Sequence, residues 1–185
     1  MAVYKLFPTK DASLYSEFPS TNTGLDQILE ASTYLKKGVP YASRYLIEFS
    51  TTEITDILDN KVGNSSFTTC LRNYSALVTA LKTTSILEVK TVSGSWDMGT
   101  GVLGFSPPVE NGCSWNFRSF SGSNAWVSTG SDSYVNPVYS QSFSYGNTTD
   151  INVDLTPSIL SWYSGSIPND GFLIKQPDSV EQDTS

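Results

Sequence analysis

Histidine is absent from all 185 residues. That removes the usual general base near neutral pH, the Ser-His and Cys-His nucleophile pairs, and the commonest metal-ligating side chain. Catalysis, if any, would have to rest on carboxylates, Lys or Tyr, and no enzyme activity is expected. Positive charge is scarce: 11 Lys and Arg against 18 Asp and Glu leave a formal charge of −7. Phosphate backbones and anionic membrane surfaces require clustered cations. The only adjacent basic pair is Lys36-Lys37, beside Gly38 in what reads as a turn. Neither nucleic acid nor a membrane is therefore an expected partner. Long apolar runs are missing too, none approaching the roughly 18 residues of a bilayer span. Residues 1–8 lack a basic region followed by an apolar run, so no secretory signal is expected. Cysteine is limited to Cys70 and Cys113. Two isolated cysteines cannot build a zinc site alone. Reduced, mostly buried thiols are the expected state, with a disulfide left open as the alternative.

What is present is β-forming. The charged fraction is 16%, against an average of roughly 25%, and the polarity comes instead from Ser, Thr and Asn, which suit strands and turns. A hydrophobic content of 38% with 12% aromatics marks a globular chain, long enough for one domain with a two-layer core. Residues 31–35 read as a strand approaching the turn at 37–40. Along 41–50, Tyr45, Ile47 and Phe49 alternate with Arg44, Leu46 and Glu48, the period-2 signature of a strand. Helical spacing at Ile54, Ile57 and Leu58, with Thr51 or Thr52 as N-cap, predicts a short helix over 52–61. Residues 67–78 and 85–92 read as strands, Glu88 and Lys90 marking a solvated face in the second. The Gly-, Ser-, Asn- and aromatic-rich stretch 93–149 predicts short strands and long loops. A strand at 150–155 leads into a helix over 156–163: Thr156 can cap it, Pro157 suits its first position, Ile159, Leu160 and Tyr163 share a face, and Gly165 stops it. A last strand, Phe172 to Lys175, is expected before ten polar residues without strand pattern. The division expected is one sandwich domain at 1–175, followed at 176–185 by a polar tail or an unfinished sheet edge.

The order of several short motifs resembles the DNRLRE domain, a jelly-roll-like β-sandwich module. The stretches that carry the likeness are 8–15 with Asn22-Thr23-Gly24, the Arg44-containing strand, Trp96-Asp97-Met98-Gly99-Thr100-Gly101, Gly112-Cys113-Ser114-Trp115, and 152–165 with 169–175. The likeness spans residues 8–175, although the middle block is long and the strand that usually follows the Gly-Phe strand has no counterpart. It implies an all-β, jelly-roll-like antiparallel sandwich with one or two short helices, in which Trp115 and Trp162 are core residues. Modules of this type act in carbohydrate binding or surface display. A divergent branch resembles virion structural proteins of tailed, marine myovirus-like phages, assembled in the host cytoplasm. The expectation drawn is a tail, neck, baseplate or capsid-surface component whose partners are other virion proteins and copies of itself. A surface glycan is the alternative partner.

Candidate sites follow from these readings. Flat aromatic faces stack on sugar rings, which points to Trp126, Tyr134 and Tyr139 in loop-like surroundings, with Asp97 as a sugar- or calcium-contacting loop acid. The plainer reading of Asp97 is a turn residue bonded to its own backbone. Phe172, Leu173, Ile174 and Lys175 are the candidate assembly edge, since a sheet lacking its last strand can receive one from a partner. No cofactor is expected. Asp11 and Asp154, with Glu30 and Asp150, offer the hard oxygen ligands a structural calcium ion prefers, though no contiguous calcium loop is present.

Overall fold

The alternation along 41–50 becomes a strand because both of its faces have something to bury against. The computed structural model describes residues 2–63, 65–74, 84–120, 123–144 and 150–184. Its main sheet is antiparallel and runs β1 (Lys10–Tyr15), β3 (Val39–Glu48), β10 (Phe172–Lys175), β5 (Thr84–Val92), β8 (Ser133–Ser144), with β2 (Ser32–Lys36) also paired to β3. Ser43 faces Tyr15 of β1 on one side and Ser32 of β2 on the other, so β2 and β10 share one edge of β3. Two smaller antiparallel pairs complete the strands: β4 (Cys70–Asn73) with β9 (Ile151–Asp154), and β6 (Phe117–Ser119) with β7 (Asn124–Ala125). The fold is an all-β antiparallel sandwich carrying three short helices, α1 (Thr51–Ile57), α2 (Thr156–Tyr163) and α3 (Asp178–Glu181), and a π-helical turn at Leu58–Val62.

Each face of the main sheet has its own core. On one, Tyr45, Ile47, Val89, Phe143, Phe172 and Ile174 pack beneath α1, α2 and the β4–β9 pair, which contribute Ile54, Leu71, Val153, Ile159 and Trp162. On the other, Ala12, Leu14, Leu46, Val92 and Leu173 meet Trp96, Cys113 and Trp126 from the long stretch between β5 and β8. This explains why alternation in β3 did not separate apolar from polar: a strand covered on both faces buries both sets. Glu88 and Lys90, read as a solvated face, are an ion pair at 3.7 Å with side chains only 22% and 19% exposed.

Several local expectations shift. Helix α1 is capped by Ser50, whose Oγ accepts the Glu53 N–H at 3.2 Å, rather than by Thr51 or Thr52. In α2 the inward face is Ser158, Ile159 and Trp162, whereas Leu160 and Tyr163 are exposed. Thr156 does not cap that helix; its N–H is taken by Asp154 Oδ1 at 2.9 Å, and its Oγ1 accepts the Thr69 N–H. Strand β4 occupies 70–73 of the expected 67–78, and residues 75–80 lie outside the described residues.

The largest correction concerns the end of the sheet. Phe172, Leu173, Ile174 and Lys175 are not an edge: β10 is paired to β3 on one side and to β5 on the other, and all four residues are buried. Residues 176–184 are not a free tail either, since α3 folds back over the sheet and buries Glu181. Among the described residues the terminal strands of the main sheet are β1, paired to β3, and β8, paired to β5.

Both cysteines are free thiols, but only Cys113 is buried; Cys70 is exposed on β4. Burial pushes the Cys113 thiol up to about 12. The thiolate is the reactive form, so a thiol reagent at neutral pH should label one cysteine per native chain, and Cys113 only after unfolding. Mass spectrometry of the labelled peptides checks this; prompt modification of Cys113 in the native state would contradict it.

Candidate functional site

Three of the motif stretches meet at one buried amide. Asn22 is wholly inaccessible, and its Nδ2 donates to Met98 O at 2.7 Å and Cys113 O at 2.8 Å. Its Oδ1 accepts the N–H of Gly101 at 2.7 Å and of Gly24 at 3.3 Å. Gly99, at φ +75°, and Gly112 pack so closely on that side chain that a Cβ at either would run into it. Around this pin, Trp96 Nε1 donates to Asp170 O at 2.9 Å and Asp26 Oδ1 accepts the Leu103 N–H at 2.9 Å. The group has every hydrogen-bonding position of its amide engaged, so it positions loops and has nothing left to offer a ligand.

The proposed sugar platform does not assemble. Trp126 is 4% exposed, packs in the Trp96–Cys113 core and donates its Nε1–H to Ser114 O at 2.9 Å. Tyr139 belongs to the opposite face of the main sheet, where its hydroxyl meets Ser158 Oγ at 2.8 Å. Tyr134 is half-buried on β8. Asp97 is exposed, and its backbone is fixed in the loop by Asp97 N–H to Arg118 O at 3.0 Å and Cys113 N–H to Asp97 O at 2.7 Å. Trp126 looked like a loop residue because its neighbours are Gly, Ser and Asn; the loop folds inward and uses the indole as its anchor.

The calcium candidates are likewise apart. Asp11 lies on β1 of the main sheet, half-buried, and burial raises its pKa above the usual carboxylate range. Asp154 lies on β9 of a separate sheet, where hydrogen bonds from Thr156 lower its pKa. Glu30 Oε1 accepts from Ser43 Oγ at 3.2 Å. No group of three or more Cys, Asp or Glu side chains positioned to hold a metal ion occurs among the described residues, so these residues give no basis for a calcium site.

The cluster that sequence reasoning missed lies on the Leu46 and Leu173 face. Arg44 of β3 and Lys175 of β10 both reach Glu181 of α3. Arg44 Nε lies 3.1 and 3.2 Å from the two carboxylate oxygens of Glu181, and its Nη2 donates to Oε2 at 2.6 Å. The remaining guanidinium nitrogen donates to Gly130 O at 2.9 Å, and the group stacks 4.7 Å from the Trp115 ring centre. Lys175 Nζ lies 3.3 Å from the same carboxylate and also pairs with Asp178. That pairing is the main cause holding the Asp178 carboxyl below its usual range. A groove of about 490 Å³ opens beside the cluster, lined by Ser16, Arg44, Trp115, Ser128, Thr129 and Gln182 among others. Two isolated cations on otherwise apolar strands were the available signal, but their acid comes from a segment with no strand pattern.

Comparison with protein-family models, with curated proteins and with solved structures finds no match. The functional reading therefore rests on the residues themselves. No helix among the described residues is long and apolar enough to cross a membrane.

Proposed function

We propose that the chain is a virion structural protein of a tailed bacteriophage that acts by multimeric assembly, with the free edge of β8 as a contact surface. The observation that carries the assembly reading is β8 itself. It is a twelve-residue terminal strand whose backbone, among the described residues, is laddered only to β5, and it presents Val135 at 82% and Val138 at 42% exposure. A long edge bearing apolar side chains is a template for another chain unless something covers it. Pro137 lacks an N–H, which restricts added pairing to the segments flanking it. Other apolar side chains lie open on the β2–β3 hairpin, at Tyr34, Leu35 and Val39, and on the N-terminal stretch, at Val3 and Phe7. Assignment to a phage particle rests on the DNRLRE-like order of motifs.

Light scattering at tens of micromolar should show multimers of the wild-type chain. Val135→Lys should shift them toward monomer while leaving the Tm within about 2 °C, as befits an exposed substitution. A wild-type chain that stays monomeric up to millimolar concentration, alone and mixed with other particle proteins, would end this reading.

One observation supports the second reading, a carbohydrate-binding module. The tryptophan that borders a groove is Trp115, among Ser16, Ser128, Thr129 and Gln182, hydroxyl and amide groups of the kind that orient sugar hydroxyls. Glycan-array binding lost in Trp115→Ala and retained in Tyr134→Ala would favour it.

A further inference from the structure

The Arg44–Lys175–Glu181 cluster is built unlike an ordinary surface ion pair. Its side chains are 13%, 4% and 4% exposed. Both cations belong to the main sheet, and Arg44 is held further by Gly130 O and the Trp115 ring, so the positive half of the cluster is fixed by the fold. The negative half arrives differently. It sits on a four-residue helix joined to β10 through Gln176 and Pro177, whose Asp178 and Ser179 are exposed. A buried lysine and a largely covered arginine deprived of their shared acid are strongly unfavourable. The socket therefore requires a carboxylate whether or not α3 is the element supplying it. The open groove beside it, lined by Ser16, Ser128, Thr129 and Gln182, gives room for a peptide backbone around that carboxylate. The segment that fills the socket is itself an acidic peptide, with Asp178, Glu181 and Asp183 among residues 176–184.

We infer that Arg44, Lys175 and Trp115 form a binding site for a glutamate side chain on a short acidic peptide, occupied in cis by Glu181 and taken in trans by the 176–184 segment of a second copy. The exchange deepens the assembly reading and rests on it; the carboxylate site does not. Pairing would be reciprocal, each copy lending its short helix to the other, with the hinge at Gln176-Pro177. Short hinges next to a self-complementary docking element are where such exchange arises.

The test uses the full-length chain carrying Glu181→Ala, with Glu181→Gln as a shape-preserving companion should the alanine variant not fold. Either should lower the Tm by roughly 6–12 °C. A synthetic peptide of residues 176–184 should restore at least half of that loss in a saturable way and shift the emission of half-buried Trp115. The same peptide with Gln in place of Glu181 should do neither, and acetate should stabilise more than chloride at equal ionic strength. Absence of recovery with the native peptide, or equal recovery with the Gln peptide, overturns the site. For the exchange, light scattering compares wild type, Glu181→Ala and Val135→Lys. A dimer lost only in Glu181→Ala supports it. A multimer unaffected by Glu181→Ala but lost in Val135→Lys overturns exchange and leaves assembly through β8 standing. A monomeric wild type whose Glu181→Ala variant is rescued by peptide overturns assembly and exchange together while keeping the carboxylate site.

Discussion

Replacing Asn22 by Ala should lower stability by about 4 kcal/mol, enough to threaten folding altogether. The side chain is not merely buried; it is the shared partner of two carbonyls and two N–H groups from three separate stretches of chain. Each buried partner left without a mate costs about 1–3 kcal/mol before relaxation, and in the alanine variant the carbonyls of Met98 and Cys113 would both lose the amide donor they now share. Asn22→Asp tests the chemistry further. It preserves shape but replaces the amide donor with a group that, once ionised, faces two carbonyl oxygens. Its ionised form is disfavoured in the fold, so the folded pKa of that new carboxyl lies above its unfolded value. The variant should therefore approach wild-type behaviour in acid and lose stability as pH rises through and beyond the carboxylate range. Guanidinium unfolding at several pH values reads both effects. A loss under about 1 kcal/mol in Asn22→Ala would show that the loops are held by something other than this amide.

Phe172→Ala should cost about 3–5 kcal/mol, the range for a large aromatic removed from a core that cannot collapse onto the space. Phe172 is 1% exposed, lies opposite Ile47 and Thr91 in the two flanking strands, and its ring sits 4.6 Å from that of Trp162. Leu173→Ala, on the other face, should cost about 2–5 kcal/mol for the same reason. This distinguishes a central strand from an edge: at an edge awaiting a partner, the same changes would alter association and leave the isolated chain's Tm nearly intact. Denaturant midpoints of the two variants decide the matter, and values close to wild type would contradict the central placement of β10.

The parts of the fold legible in sequence were those written in local pattern. The alternation of Tyr45 and Ile47 with Arg44 and Leu46, the Pro157 start and Gly165 stop of α2, and the Lys37-Gly38 turn all act over a few residues, and the structure places a strand, a helix and a hairpin there. The order of strands was not legible, because nothing in Phe172-Leu173-Ile174-Lys175 states which neighbours will flank it. A wholly apolar run ending in Lys is compatible with either place; only the burial of all four residues reveals the centre of the sheet. The same limit misplaced Trp126. Its Gly- and Ser-rich surroundings are those of a surface loop, while the tertiary contact that buries it, with Ser114 and the Trp96 core, is remote from any periodicity. Asn22 and Glu181 show the other face of the problem. Each is a polar residue in an unpatterned stretch, and each becomes central only when distant strands bring it carbonyls or cations.

The position of β10 also orders events in time. Strands β3 and β5, which it separates, are synthesised long before it, and they cannot pair through it until residues 172–175 have left the ribosome. Until then the Tyr45–Ile47 rim of β3 and the Glu88–Thr91 rim of β5 lack the partner that joins them in the folded sheet. Non-local closure of this kind is slow and leaves sticky intermediates, so production of this protein should depend on chaperones that hold the chain until residues 172–175 are available.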